Sequence, residues 1–186
     1  MNFHTQVTTC QKCSELAATR KKVVIGEGAI PCDILFIGEA PGEVEDRTGK
    51  PFKGSAGQIL RTLVHVVGIS MEKCHILNVL KCRPPGNRNP TETEILNCRP
   101  YLLHQIKVIR PKVIVALGKY AQAFVLKQEP KSVRVLKNIG KVIDYEGTPA
   151  VLTFHPSYLS RDNQPEVEAA FKIHLKTAKQ LSLQSR

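Results

Sequence analysis

The sequence predicts an α/β fold, a three-layer α/β/α sandwich around a mostly parallel, four-stranded central sheet. Three observations carry this expectation. Apolar runs of strand length recur at 33–40, 75–82, 112–118 and 149–155. Segments of helical period fall between them, and strand alternating with helix is the mark of parallel sheets with crossover helices. The first and third runs, DILFIGEA and KVIVALG, are continuously apolar rather than alternating, as strands covered on both faces are.

The helices follow in order. Ser55 and Gln58 read as a capping-box pair, followed by Ile59, Leu60, Leu63, Val64 and Val67 at helical spacing. Pro90, Thr91 and Glu94 open a second helix, whose apolar positions Ile95, Cys98, Leu102, Ile106 and Ile109 step by three and four. A third is expected over about 120–126 and a fourth over about 165–181. No repeat, low-complexity tract or linker interrupts the chain, and its length suits a single domain over 1–186. In open α/β sheets ligands bind beyond the carboxyl ends of the strands. That rule gathers 39–52, 78–89 and 155–161 along one edge.

Composition narrows the function classes. The chain carries 27 Lys+Arg against 16 Asp+Glu, a formal charge of +11, which draws in polyanions, nucleic acid first. Lys131 to Lys141 (KSVRVLKNIGK) holds four basic residues and no acid, as a basic rim would. No apolar run approaches the ~20 residues that span a bilayer. The start, MNFHTQVTTCQKC, lacks the layout of a secretory signal. A cytoplasmic protein without membrane contact is expected.

Six cysteines divide into two groups. Cys32 and Cys74 flank strand-like runs and read as packing residues. Cys10 and Cys13 form a C-x-x-C in a polar segment, with Cys82 and Cys98 further on. This spacing suits four-thiolate ligation of zinc or of an iron–sulfur cluster. Four protein ligands leave no open position, so the site reads as structural. It would pin the N-terminal arm, about 1–30, and the 83–97 loop to one corner.

The first strand ends in a tight turn, Gly38-Glu39-Ala40-Pro41-Gly42, which is neither a P-loop nor a dinucleotide fingerprint. Phe52 is either a core aromatic or a ring for stacking on a base. Asn78, in an apolar strand, either bridges loops or presents a donor and an acceptor to one edge of a pyrimidine. His155 either caps the last strand or donates to charge developing on a substrate oxygen. Leu159 is either a small hydrophobic anchor or a wedge for DNA.

Together the stretches CQKC, GEAPGEVEDRTGKPFKGSAGQIL, NVLKCRPPGNRNPTETEILNC and HPSYLSR closely resemble the family 4 uracil-DNA glycosylases, the iron–sulfur branch of that superfamily. With their connecting strands they cover almost the whole chain. The resemblance implies a uracil-DNA glycosylase-like fold and a 4Fe-4S cluster on Cys10, Cys13, Cys82 and Cys98. It also implies DNA as partner and hydrolysis of the bond joining uracil to deoxyribose. Carried over by motif, the catalytic residues are His155, Glu39 and Asn78. The uracil pocket adds Gly38, Ala40, Gly42, Glu45 and Phe52, with Glu43 or Glu45 facing uracil C5. DNA contacts are expected from Ser55, Arg83, Asn87, Ser157, Leu159 and Arg161, and the enzyme is expected to be a monomer on nucleoid DNA. Other branches place Asp or Asn where this chain has Ala40, so Glu39 enters as water activator by proximity. A covalent-trapping branch carries an Arg-Arg-Ile-His insert that this chain lacks after Gly118, so turnover is expected.

Overall fold

The computed structural model describes residues 2–160 and 165–184. An N-terminal arm carries α1 (Phe3–Thr8) and α2 (Ser14–Thr19). There follow β1 (Glu27–Gly28), β2 (Ile34–Gly38), α3 (Glu43–Thr48), α4 (Ser55–Val66), β3 (Cys74–Asn78) and α5 (Glu92–Ile109). The second half comprises β4 (Val113–Leu117), α6 (Gly118–Leu126), α7 (Val135–Asn138), β5 (Val142–Tyr145), β6 (Thr148–Thr153) and α8 (Pro165–Gln184).

The sheet has six strands in the order β1-β3-β2-β4-β6-β5, where the sequence suggested four. The inner four run parallel. The two extra strands are short, antiparallel additions at either edge, β1 on β3 and β5 on β6. Neither carries an apolar run: β1 is Glu-Gly, and β5 exposes two of its four residues. Periodicity therefore gave no sign of them.

Two apolar clusters make the three layers. Ile34 and Phe36 of β2, with Val113 and Val115 of β4, pack against Leu60, Leu63 and Val64 of α4 and Phe171 and Leu175 of α8. The alternate residues, Leu35 and Ile37 with Ile114 and Ala116, pack against Leu102 and Ile109 of α5 and Ala121 and Phe124 of α6. All five residues of β2, β3 and β4 are buried; β2 and β4 are apolar throughout, as strands covered on both faces are, while β3 also buries His75 and Asn78. Cys32 and Cys74 are buried as expected, and burial pushes both thiols up to about 12.

Helix starts divide between expectation and correction. Thr91 caps α5: its side chain accepts from the Glu94 N–H at 3.2 Å, while Glu94 Oε2 accepts from the Thr91 N–H at 2.8 Å. The Ser55–Gln58 box does not form. Gly54 is the N-cap of α4 and Ser55 its first residue, because the Gly54 N–H already donates to Glu45. Among the described residues no helix is long and apolar enough to cross a membrane. Replacing the Thr91 cap (Thr91→Ala) is expected to lower stability by about 1 kcal/mol in chemical denaturation.

Candidate active site and the four-cysteine corner

The carboxyl ends of β2, β3 and β6 open into a pocket of about 420 Å³ walled by Phe52, Asn78 and His155. Ala40, Gly42, Glu43, Glu45, Ser55, Asn87 and Ser157 complete much of the lining. The sequence thus brought together most of the residues it singled out. Glu39 is not in this lining. Burial raises its carboxyl above the ordinary range, opposed by Lys119; burial, helped by this carboxylate, in turn raises the neighbouring Tyr120 phenol.

Phe52 sits in a left-handed conformation (φ 53°) that a bulky residue adopts only when its surroundings impose it. Two contacts do so. A Cβ at Gly57 would overlap the Phe52 carbonyl, so the glycine lets the first turn of α4 close on the loop. Glu45, 8% exposed, accepts from the N–H groups of Lys53 (2.8 Å) and Gly54 (2.7 Å) through Oε1. Its Oε2 accepts from the Gly42 N–H at 3.1 Å. One carboxylate thereby ties the turn after β2 to the loop that presents the ring. Sequence reading cast Glu45 as a wall residue; its bonds to three amides went unseen, although Gly42 and Glu45 stand at capping-box spacing.

Gly38 ends β2 beneath the ring. A Cβ there would lie 2.5 Å from Phe52 Cζ and closer still to Asn78 Oδ1. Only glycine lets these two side chains meet. Asn78 is 2% exposed, and its Oδ1 has no hydrogen-bond partner among the described residues. A buried oxygen left so costs roughly 1–3 kcal/mol. Of the three such amide oxygens among the described residues, which include those of Gln105 and Gln122, this one belongs to a residue lining the pocket, where a ligand's donor would satisfy it.

His155 follows β6. Its Nδ1 accepts from the Ser157 N–H at 3.2 Å and lies 2.8 Å from Ser157 Oγ. A backbone amide can only donate, so the neutral imidazole carries its proton on Nε2. The ring centroid is 6.0 Å from that of Phe52. A Cβ at Gly118, which begins α6, would come within 2.8 Å of His155 Cβ.

The residues expected to touch DNA lie around this mouth. Ser55 and Asn87 are exposed there. Arg83 donates to Asn87 Oδ1 at 2.7 Å and lies 3.9 Å from Glu43 Oε2. Leu159 is half-buried against the core, while its neighbour Tyr158 is 43% exposed and stacks on Phe154. Arg161 lies outside the described residues.

At a second corner Cys10, Cys13, Cys82 and Cys98 line one cavity with Leu16, Leu80 and Lys81. Arg20 donates to Cys82 Sγ at 3.3 Å and to the Cys10 carbonyl at 2.7 Å. Asn97 donates to the Lys12 carbonyl at 2.9 Å and reaches Cys13 Sγ at 3.5 Å. Arg88 joins Glu94 of α5 to Glu15 of the arm, at 2.6 and 2.7 Å. Burial raises the Cys82 thiol, opposed by Arg20, and pushes Cys98 up to about 11, opposed by Lys81. Among the described residues no three His, Cys, Asp or Glu converge on a point that a single ion would occupy.

Comparison with known proteins places this architecture. The model of the uracil DNA glycosylase superfamily matches residues 25–178, and the chain belongs to that superfamily. Its relatives narrow the branch. It is 45% identical to the type-4 uracil-DNA glycosylase of Thermotoga maritima over 94% of this chain and 90% of that one. The type-4 enzyme of Saccharolobus solfataricus is 49% identical over 74% of this chain and 62% of its own length. That of Archaeoglobus fulgidus is 37% identical over 90% and 87%. The superfamily match begins after Cys10 and Cys13.

Two expected outcomes follow from this geometry. Glu45→Ala would strand three backbone donors and lower stability by about 2 kcal/mol or more, read by denaturant unfolding. Glu39 has a higher pKa folded than unfolded, so its contribution is fully present at low pH. It is lost as pH rises from the ordinary 4.5 through the raised value. Glu39→Gln is therefore expected to match the parent's stability at acid pH and exceed it at neutral pH, in melting curves taken across that range.

Proposed function

We propose that this protein excises uracil from DNA, releasing the free base and leaving an abasic site. The observation that carries the assignment is the unpartnered Asn78 Oδ1, buried beside an aromatic ring and an Nε2-protonated histidine. Uracil offers what that set lacks. Its N3–H supplies a donor to Oδ1, its O4 accepts from the Asn78 amide, and its face stacks on Phe52.

A base in a duplex is out of reach, so the nucleotide is first extruded, at a cost of roughly a few kcal/mol. The basic surface holds the backbone, with Ser55, Arg83, Asn87 and Ser157 at the mouth and Leu159 filling the vacated stack. The bond between deoxyribose C1′ and uracil N1 then breaks, its electron pair leaving with the base. Negative charge grows on uracil O2, where the His155 Nε2–H donates; a donor aimed at developing charge favours the transition state over the ground state. Water adds to C1′. Ala40 takes no proton from it, so electrostatics drives the step, and Glu39 in the same turn is the carboxyl that lies nearest in sequence. Glu45 sets the loop geometry and, with Glu43, walls the C5 side of the base.

Cys10, Cys13, Cys82 and Cys98 would hold a 4Fe-4S cluster. The fit rests on four thiols spread around one cavity rather than closing on a single point, with Arg20 and Asn97 donating toward sulfur. When bound, the cluster supplies a structural cross-link between the arm, the end of β3 and α5. The protein acts as a monomer on nucleoid DNA in the cytoplasm.

Purified protein is incubated with a labelled uracil-containing oligonucleotide, and abasic sites are then cleaved with alkali. Strand breaks at uracil are expected. His155→Ala should cut the rate about 100- to 1,000-fold. DNA binding without breaks would sink the assignment in favour of a non-catalytic binding module.

A further inference from the structure

Lys81 lines the four-cysteine cavity and reaches back toward the residue that walls the other pocket. It is 1% exposed, the one lysine in the buried core among the described residues. Its Nζ donates to the Asn78 carbonyl at 2.5 Å. Among the described residues no carboxylate pairs with it; burial lowers its ammonium to about 8, opposed by Cys98 and Cys82. A buried ammonium without a counter-charge costs several kcal/mol, and an apolar side chain of similar volume would spare that cost. Leu80 and Val79 beside it show that the position tolerates apolar neighbours. The charge therefore needs a reason, and its two contacts supply one.

We infer that Lys81 is a positioning residue that couples the four-cysteine corner to the uracil pocket. Its ammonium balances the Cys82 and Cys98 thiolates, and its hydrogen bond fixes the Asn78 backbone from which Oδ1 reaches the base. The inference rests on the assignment of those cysteines as ligands and of Asn78 as the uracil-reading residue. Loss of charge at the corner would loosen Lys81, and the pocket would lose its aim without any change in the residues that touch uracil.

The test uses the metal-loaded protein and two readouts other than turnover. One is the dissociation constant of free uracil, followed by NMR titration. The other is the rate at which a chelator bleaches the bound metal centre. Lys81→Met should weaken uracil binding about 10-fold with Asn78 present and less than about 2-fold in the Asn78→Ala background, as expected of coupled neighbours. It should also speed metal loss about 10-fold, in the range second-shell changes produce. Lys81→Gln keeps a donor and drops the charge. It should bring uracil binding back to within about threefold while metal loss stays fast, since neutral donors replace the bond but not the counter-charge. Additive effects on uracil binding, or unchanged metal loss, would overturn the coupling. If Lys81→Met fails to fold, the wild-type protein before and after chelation decides: uracil affinity should fall about 10-fold, and an unchanged value overturns the inference. Zinc in place of iron would refute the cluster assignment yet leave the coupling tested by the same variants. Failure of the wild type to bind uracil would refute the function and the coupling together.

Discussion

Glu45 accepts hydrogen bonds from Gly42, Lys53 and Gly54, which lie on the two sides of the loop that carries Phe52. Each donor is a backbone amide that water reaches poorly. Take the carboxylate away and the left-handed Phe52 is held only by the close approach of Gly57, so the ring above Gly38 loses its main restraint. The pocket's shape follows from this one clamp. It explains why the first turn of a helix as short as α3 holds three acids in a basic protein. Two of these acids point inward and serve backbone amides rather than solvent. Asp46 is the second, with Oδ1 accepting from the Lys21 N–H at 2.9 Å. The same short helix thus grips the pocket loop on one side and the end of the arm on the other.

Much of this was legible in the residues. The continuous apolar runs gave β2 and β4, because burial on both faces favours apolar residues at every position. The Thr91–Glu94 box gave the start of α5, because that bond pattern needs only local geometry. What stayed hidden depends on partners distant in sequence. Ser55 and Gln58 have the right spacing for a cap, yet Glu45 had already taken the Gly54 amide. Glu39 follows the pocket's floor residue by one position, and strand alternation turns it toward Lys119 instead of joining the lining. Lys81 was read only as part of a motif, and nothing local shows that its side chain folds back into the core.

A carboxylate-rich turn conflicts with a surface built to meet phosphate unless its charges are engaged. Its charges are now accounted for one by one. Glu45 and Asp46 are consumed by amides, Glu43 faces Arg83, and Glu39 is half-buried near Lys119. Little of that acidity reaches the surface as an open field. The basic excess of the rest of the chain can dominate the approach of a polyanion, while a neutral base meets a mouth lined by an amide, an imidazole and a ring.

The sheet closes on a different concern. Its outermost strands are two and four residues long, and both run opposite to their neighbours. Inner strands as apolar as β2 and β4 would be dangerous templates if they stood at an edge, since a bare row of amides and carbonyls invites pairing with another chain. Here β1 ends in Gly28, and β5 carries Asp144 toward solvent with Glu146 just beyond. These curtailed borders offer a second copy of the chain little to extend, so strand pairing from chain to chain is discouraged.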